Sequence, residues 1–254
     1  KSYELIKNVK PDALVVLGDT YSGLSVLPAK DQGVKIFHME AGLRAWDKRM
    51  PEQTNRKLID HISDILLPFN QYHRENLIRE DIHPSKIFIS GNPTFEVLDA
   101  FQDKIESSLI MDKLKLSSKN YILVTAHRKE NVDDPLAFQS ILKGLGLIYK
   151  KFQKEIIYPM HPRTQSKLNE VSVPEGIRVM DPLGYYDFNK LTKNAFCLVS
   201  DSGTSAEEGL YYKVPCVSVR QTTERPETVE AGAHIIAGID SRNIVDSVET
   251  IVNN

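Results

Sequence analysis

Short apolar runs alternate along the chain with longer stretches in which apolar residues recur every three or four positions. The runs are "ALVVLG" from Ala13, "VKIFHM" from Val34, "ILLPF" from Ile65, "KIFIS" from Lys86, "YILVTA" from Tyr121, "EIIYPM" from Glu155, "GIRVMD" from Gly176, "FCLVSD" from Phe196 and "PCVSVR" from Pro215. They are rich in Val and Ile and mostly unalternating, as suits strands covered on both faces. Stretches such as "PEQTNRKLIDHIS" and "FQSILKGLGLIYKKF" carry the helical period. Strand and helix taking turns in this way predict an α/β fold with parallel sheets.

A polar, charged segment from Glu96 to Asn120 interrupts the pattern before a fresh strand at Tyr121. It predicts a linker, and therefore two Rossmann-like domains, 1–110 and 111–254. Ligands of open α/β sheets bind beyond the C-terminal ends of the strands, so a cleft between two such domains is expected and functional residues should follow strands directly.

Composition narrows the partner. With 41% hydrophobic residues in 254, the chain can bury a sizeable core, and a formal net charge of -2 offers no electrostatic attraction to nucleic acid or to an anionic membrane. Small-molecule chemistry fits this balance. The two cysteines, Cys197 and Cys216, lie inside apolar runs, which argues against a disulfide framework and for a reducing, cytoplasmic setting. No apolar run has membrane-spanning length, and "KSYELIKNVK" has no signal-peptide core.

Polar clusters do follow the strands. "LGDT" puts Asp19 at the tip of the first strand, "HMEAGLR" puts Glu40 and Arg44 after the second, and "MPEQTNR" adds Glu52 and Arg56. Pro51 suits a first helical turn, and the helix dipole favours Glu52 beside it. Any one of these acids reads equally well as part of a solvated loop. Three of them in one half point to carboxylates with divided roles, one as base and one as acid. In the second half "YILVTAHRKENV" delivers His127, Arg128 and Glu130, with the guanidinium suited to phosphate or carboxylate. "YPMHPRT" repeats the arrangement with His161 and Arg163, and reads equally well as a turn. In "LVSDSGTSAEEGL" a strand ends at Asp201, Ser202 to Ser205 form a tight turn, and a helix is expected from Ala206. Free N–H groups there would hold a diphosphate on Ser202, Gly203 and Thr204. Glu207 or Glu208 would then accept the hydroxyls of a ribose, or else simply complement the dipole. Neither a Walker A nor a GxGxxG pattern occurs, so ATP and NAD have no sequence support.

"GDT", "MEAGLR", "PEQTNR", "VTAHRKEN", "DSGTSAEEG" and "TTERPE", in this order and across the chain, resemble the non-hydrolysing UDP-N-acetylglucosamine 2-epimerases. The resemblance implies two Rossmann-like domains of the GT-B kind and a UDP-sugar substrate. It makes Asp19, Glu40, Glu52 and His127 the catalytic groups. Arg128, Leu183, Phe188, Ser202, Gly203, Glu208 and Arg225 become the UDP-sugar contacts, with Phe188 against the uracil, backbone from Leu183 at the base edge and Glu208 on the ribose. The implied chemistry is C2 inversion by anti elimination of UDP, through 2-acetamidoglucal, with no redox cofactor and no metal. A homodimer is implied too, with the 51–63 helix near its interface. The family's first strand, with a Gly-, Arg- and Lys-bearing loop, has no counterpart here, so the N-terminal domain is expected to be truncated. The stretches "RAWDKRMPEQTNRKLIDHISD", "SGNPTFEVL" and "TAHRKENVDDP" lean toward the branch acting on 6-deoxy UDP-HexNAc, whereas "EAGLR" matches the GlcNAc enzymes. A hydrolysing epimerase, a GT-B glycosyltransferase and a non-catalytic UDP-sugar-binding module share many of these features.

Overall fold

In a computed structural model the chain folds as two compact units, Lys1–Pro93 and Thr94–Asn254. Residues 1–47 and 50–253 are described; Lys48, Arg49 and Asn254 lie outside them.

The first unit is built on a parallel sheet of β1 (Ala13–Leu17), β2 (Lys35–Met39) and β3 (Ile65–Leu67), in that order. Ile6, Val16, Val26, Ala29, Val34, Ile36 and Ile59 form its core, beneath the helix Pro51–Ile62. The coverage expected on both strand faces is incomplete here, because Val15 and Leu17 are each 61% exposed. The strand expected from Lys86 reduces to a single parallel bridge between Ile87 and Leu66. The segment follows the turn Pro84–Lys86, exposes Phe88 and Ile89, and runs into Gly91 and Pro93 before a second ladder residue can form.

The second unit carries six parallel strands, β4 (Tyr121–Thr125), β5 (Glu155–Pro159), β6 (Ile177–Met180), β7 (Cys197–Ser200), β8 (Cys216–Ser218) and β9 (His234–Ile236), in the order β6-β5-β4-β7-β8-β9. This is the doubly wound order in which the chain direction across the sheet reverses between β4 and β7. Alternate residues divide between two cores. Ile122, Val124, Ile156, Tyr158, Cys197, Val199 and Val217 face the helices Pro135–Phe152 and Ser241–Val252. Tyr121, Leu123, Ile157, Leu198 and Cys216 face the other side, with Leu191 and Ala206. The short continuous apolar runs are explained by this two-sided burial. Both cysteines are free and buried, and burial pushes both thiols up, Cys216 to about 12.

Residues expected to be a linker fold instead. Pro93–Ala100, Gln102–Glu106 and Ile110–Leu114 are helices, and Ile105 and Ile110 are buried. Lys190 and Lys193 both reach Glu106, while Ser108 donates to Asp187 at 2.5 Å. Apolar residues spaced inside a charged segment were sufficient to dock it on the second unit. Among the described residues no helix is long and apolar enough to cross a membrane.

Candidate active site

In the first unit, β1 and β2 end side by side, with Leu17 opposite Met39 and the Gly18 N–H donating to Met39 O at 3.2 Å. Asp19 and Glu40 therefore leave the sheet from adjacent strand ends. Gly18 sits at φ 78°, and a Cβ there would lie 2.8 Å from Glu40 Oε2. Only glycine supplies both the left-handed turn and the space for that carboxylate. Arg56, on the Pro51–Ile62 helix and 4% exposed, ion-pairs with Asp19 through Nη2, and the same nitrogen is 3.9 Å from Glu40 Oε2. Asn55 Nδ2 donates to Asp19 O at 3.0 Å, tying the helix to the strand end. One guanidinium thus faces two carboxylates, offsetting the repulsion that their proximity creates. Glu52 stands on the first turn of this helix, partly buried and four residues ahead of Arg56. Its side chain makes no hydrogen bond or ion pair with the described residues.

A buried ionic network lies beneath these acids. His38 Nδ1 is 2.7 Å from Asp60 Oδ1 and its Nε2 is 2.9 Å from Gly18 O, so the ring bridges the carboxylate and the strand-end carbonyl. Arg44 donates to Asp60 Oδ2 at 2.7 Å and to both Glu80 oxygens, at 3.0 and 2.6 Å. Burial pushes the Glu80 carboxyl up, but hydrogen bonds and charge from Arg44 and Lys57 outweigh it and hold the group at about 2. Arg44 and His38 are therefore structural supports of the loop that carries Glu40.

In the second unit the switch between β4 and β7 places two loops together. Asp201, following β7 and fully buried, accepts the His127 N–H at 2.9 Å, the Arg128 N–H at 2.8 Å and the Asn131 amide at 3.0 Å, all on Oδ2. Arg128 Nε returns to Asp201 O at 2.8 Å. Ser202 and Gly203 come next in the chain. The helix starts at Gly203 rather than at Ala206, so Gly203 and Thr204 themselves occupy its first turn, and Ser202 gives it no side-chain cap. Small residues read as a loop were compatible with helix once β7 fixed the start. First-turn N–H groups lack intrahelical acceptors, which makes this end able to hold an anion.

Two buried arginine–glutamate pairs lie beside it, and a Cβ built on Gly203 would come 3.1 Å from Glu224 Oε1 and 3.8 Å from Arg220 Nη1. Arg225 Nε donates to Glu207 Oε1 at 2.5 Å and Arg220 Nη2 to Glu224 Oε2 at 2.8 Å, all four residues being buried. Burial pushes Glu224 up, yet Arg220, Arg225 and Arg128 together hold it at about 2. Behind them His234 Nδ1 is 2.9 Å from Thr228 Oγ1, whose hydroxyl donates to Arg225 O, and His234 Nε2 is 2.6 Å from Ser218 Oγ. The ring thus gives its Nδ1–H to Thr228 and accepts from Ser218. Glu208 is pushed up to about 7, by burial first and by the Glu207 charge second, against an opposing hydrogen bond from Asn189. Leu183 and Phe188 are partly buried and flank the core of Tyr121, Leu123, Ile157 and Leu191. His161 is apart from this group: its ring accepts the Arg163 N–H at 3.3 Å and caps the short helix Pro162–Ser166.

The family model of UDP-N-acetylglucosamine 2-epimerase matches residues 1–254. The UDP-N-acetylglucosamine 2-epimerase of Methanococcus maripaludis is 39% identical over 256 residues, a span covering 96% of this chain and 70% of that protein. The chain belongs to the UDP-N-acetylglucosamine 2-epimerase family. Its fold agrees with that of the Rickettsia bellii enzyme at a TM-score of 0.92 and 38% identity, over 99% of this chain and 68% of that one. It agrees with the Methanocaldococcus jannaschii UDP-GlcNAc 2-epimerase, solved in complex with UDP-GlcNAc and UDP, at 0.91 and 36% identity, over 99% and 72%. The α/β, parallel-sheet, GT-B-like architecture expected of the family is what the fold shows.

Within this family member, Asp19 and Glu40 converge on Arg56, while His127 and Arg128 converge on Asp201, which Ser202 and Gly203 follow in the chain. Glu52 stays one helical turn away from the first group. Asp201, Asn131, Arg220 and Glu224 were not among the expected site residues. Three of them carried a signal: Asp201 and Arg220 follow apolar strands, and Asn131 closes the "HRKEN" cluster.

Proposed function

We propose that the chain interconverts UDP-N-acetylglucosamine and UDP-N-acetylmannosamine. Its membership of the epimerase family along the whole sequence carries this, and the pair of strand-end carboxylates sharing Arg56 supports it. In this reading the second unit holds the nucleotide. First-turn N–H groups at Gly203 and Thr204, with Arg128 and Arg225 nearby, take the diphosphate; Glu208 takes the ribose hydroxyls; Phe188 stacks on uracil beside the Leu183 backbone. The first unit supplies the proton chemistry through Asp19, Glu40 and Glu52, with His127 assisting at the diphosphate.

The C2–H of the sugar is a weak acid. A carboxylate takes that proton while the C1–O bond breaks and its electron pair leaves with UDP, giving 2-acetamidoglucal. A proton then returns to C2 from the opposite face and UDP adds back at C1. Base and acid must lie on opposite faces, and each contributes roughly 10²–10⁴ in rate. N–H groups and guanidiniums stabilise the departing diphosphate. The enzyme acts in the cytoplasm as a homodimer in this proposal, feeding surface-polysaccharide synthesis.

Incubation with UDP-N-acetylglucosamine in D₂O, followed by NMR, tests it. Deuterium at C2 with UDP-N-acetylmannosamine as the product is expected. Free N-acetylmannosamine with UDP would instead identify a hydrolysing enzyme, and binding without C2 exchange a non-catalytic module.

A further inference from the structure

We infer that Asp201 is a positioning residue for His127, forming with it a carboxylate–imidazole pair that closes when the site is used. The carboxylate is fully buried and its two oxygens are treated unequally. Oδ2 accepts three N–H groups, two of them the main-chain donors of His127 and Arg128. Oδ1 is buried with no hydrogen-bond partner, and the atom it faces is His127 Nδ1 at 3.7 Å. A buried carboxylate oxygen left unpaired is unfavourable, and a movement of less than about 1 Å brings Nδ1 into range. Catalytic hydrogen bonds are often long before ligand binds.

The geometry is restrictive because one carboxylate grips both ends of the same residue. Oδ2 fixes the His127 backbone, so Oδ1 stays within reach of a small side-chain rotation of its ring, and Asp201 itself is held by the Arg128 Nε bond to its carbonyl oxygen. Donation from Nδ1–H to Oδ1 selects one tautomer and leaves Nε2 as the lone-pair nitrogen. The ring is 58% exposed, so Nε2 is the nitrogen a ligand meets. When Nε2 accepts a proton, the carboxylate stabilises the imidazolium. Arg128, bonded to Asp201 through its N–H and its Nε, is in turn 3.4 Å from Glu130, and the buried Tyr158 hydroxyl also feels the Asp201 charge. Asp201 also precedes Ser202 and Gly203 directly, so one side chain couples the anion-binding turn to the histidine. The catalytic consequence rests on the epimerase reading of His127; the pairing does not.

Nitrogen-15 NMR of the histidine rings in the unaltered chain, with His127 assigned from the signal lost in His127→Asn, reads the tautomer without turnover. The neutral ring is expected as Nδ1–H, saturated UDP making it more so; a predominantly Nε2–H ring, the usual preference of a free histidine, overturns the pairing. In Asp201→Asn the ring is expected to revert to Nε2–H and turnover to fall roughly 10- to 100-fold, the range for carboxylates that orient a histidine from behind. Combined with His127→Asn, the Asp201 change should add less than about twofold, because both act through one interaction; fully additive losses contradict it. If Asp201→Asn does not fold, the ring spectrum of the unaltered chain decides alone. An Nδ1–H ring in a chain that shows no C2 exchange supports the pairing and contradicts the activity.

Discussion

Arg56 faces Asp19 and Glu40 with a single nitrogen, ion-paired to the first and 3.9 Å from the second. Replacement by Met removes the cation between two carboxylates and preserves much of the apolar stem. Turnover in Arg56→Met is expected to fall by about 10²-fold or more, the scale of a general acid–base contribution, while UDP affinity stays within a factor of about two because the proposed nucleotide groups lie on the second unit. Steady-state kinetics beside calorimetric UDP titration measures both. Equal losses in the two would contradict the division of roles.

Glu208, proposed to hold the ribose, is also a buried acid whose ionisation bears on stability. Its folded-state value, about 7, is above the ordinary 4.5, so its burial leaves the fold progressively less stable as pH rises from about 4.5 to 7. Glu208→Gln should therefore raise stability above pH 7, by up to roughly 3 kcal/mol, since each pH unit between those two values is worth about 1.4 kcal/mol. It should weaken UDP-sugar binding at the same time. In the parent, affinity for UDP-N-acetylglucosamine should improve as pH rises through 7, since ribose hydroxyls donate best to the ionised acid; the Gln variant should show no such slope. Thermal unfolding and binding titrations between pH 5.5 and 8 check both signs.

His234 works in the other direction. Burial and the neighbouring Arg220 hold it at about 4, against an opposing pull from Glu224, below the ordinary 6.5. Its stabilising contribution is whole above pH 6.5 and is lost as pH falls toward 4, where the unfolded chain binds the extra proton. Urea unfolding should thus show a stability loss across that window. His234→Gln, with no titrating ring, should flatten it.

Gly42 stands at φ 77°, and a Cβ there would lie 2.2 Å from the His73 carbonyl oxygen. Backbone meets backbone at this point, so no side-chain rotation relieves the clash. Gly42→Ala is expected to destabilise the first unit by about 3 kcal/mol or more, seen as an earlier urea transition. An unchanged midpoint would mean that the "AGLR" turn relaxes freely.

The doubly wound second unit was legible because its inner strands β4, β5, β7 and β8 are largely buried on both faces and announce themselves as apolar runs. Strand β9 escaped notice, since "HII" is short and His234 is occupied by Ser218 and Thr228 rather than exposed. The helices between Pro93 and Leu114 escaped for a different reason: charge dominates their composition, and only a few apolar residues such as Leu98, Ile105 and Ile110 dock them. At the site, the acids and the small-residue turn could be seen as strand-end polar clusters. Pairings could not. That Arg56 meets Asp19, or that Asp201 holds His127, depends on which strand ends are adjacent, and that is a property of sheet order rather than of any local stretch. Phe188 illustrates the remaining ambiguity, flanking the core as an apolar helix residue would while leaving part of its surface uncovered.

Glu40 and Glu52 are proposed to move protons and not merely to shape the first unit. Glutamine keeps the shape and a hydrogen-bonding oxygen but cannot exchange a proton. The most direct measurement is the rate of C2 deuterium incorporation into UDP-N-acetylglucosamine in D₂O by Glu40→Gln and Glu52→Gln, at saturating substrate and alongside UDP-sugar affinity. Exchange slowed by roughly 10²–10⁴ with affinity little changed is the predicted result. Exchange as fast as in the parent would show that these carboxylates are structural and would contradict the account.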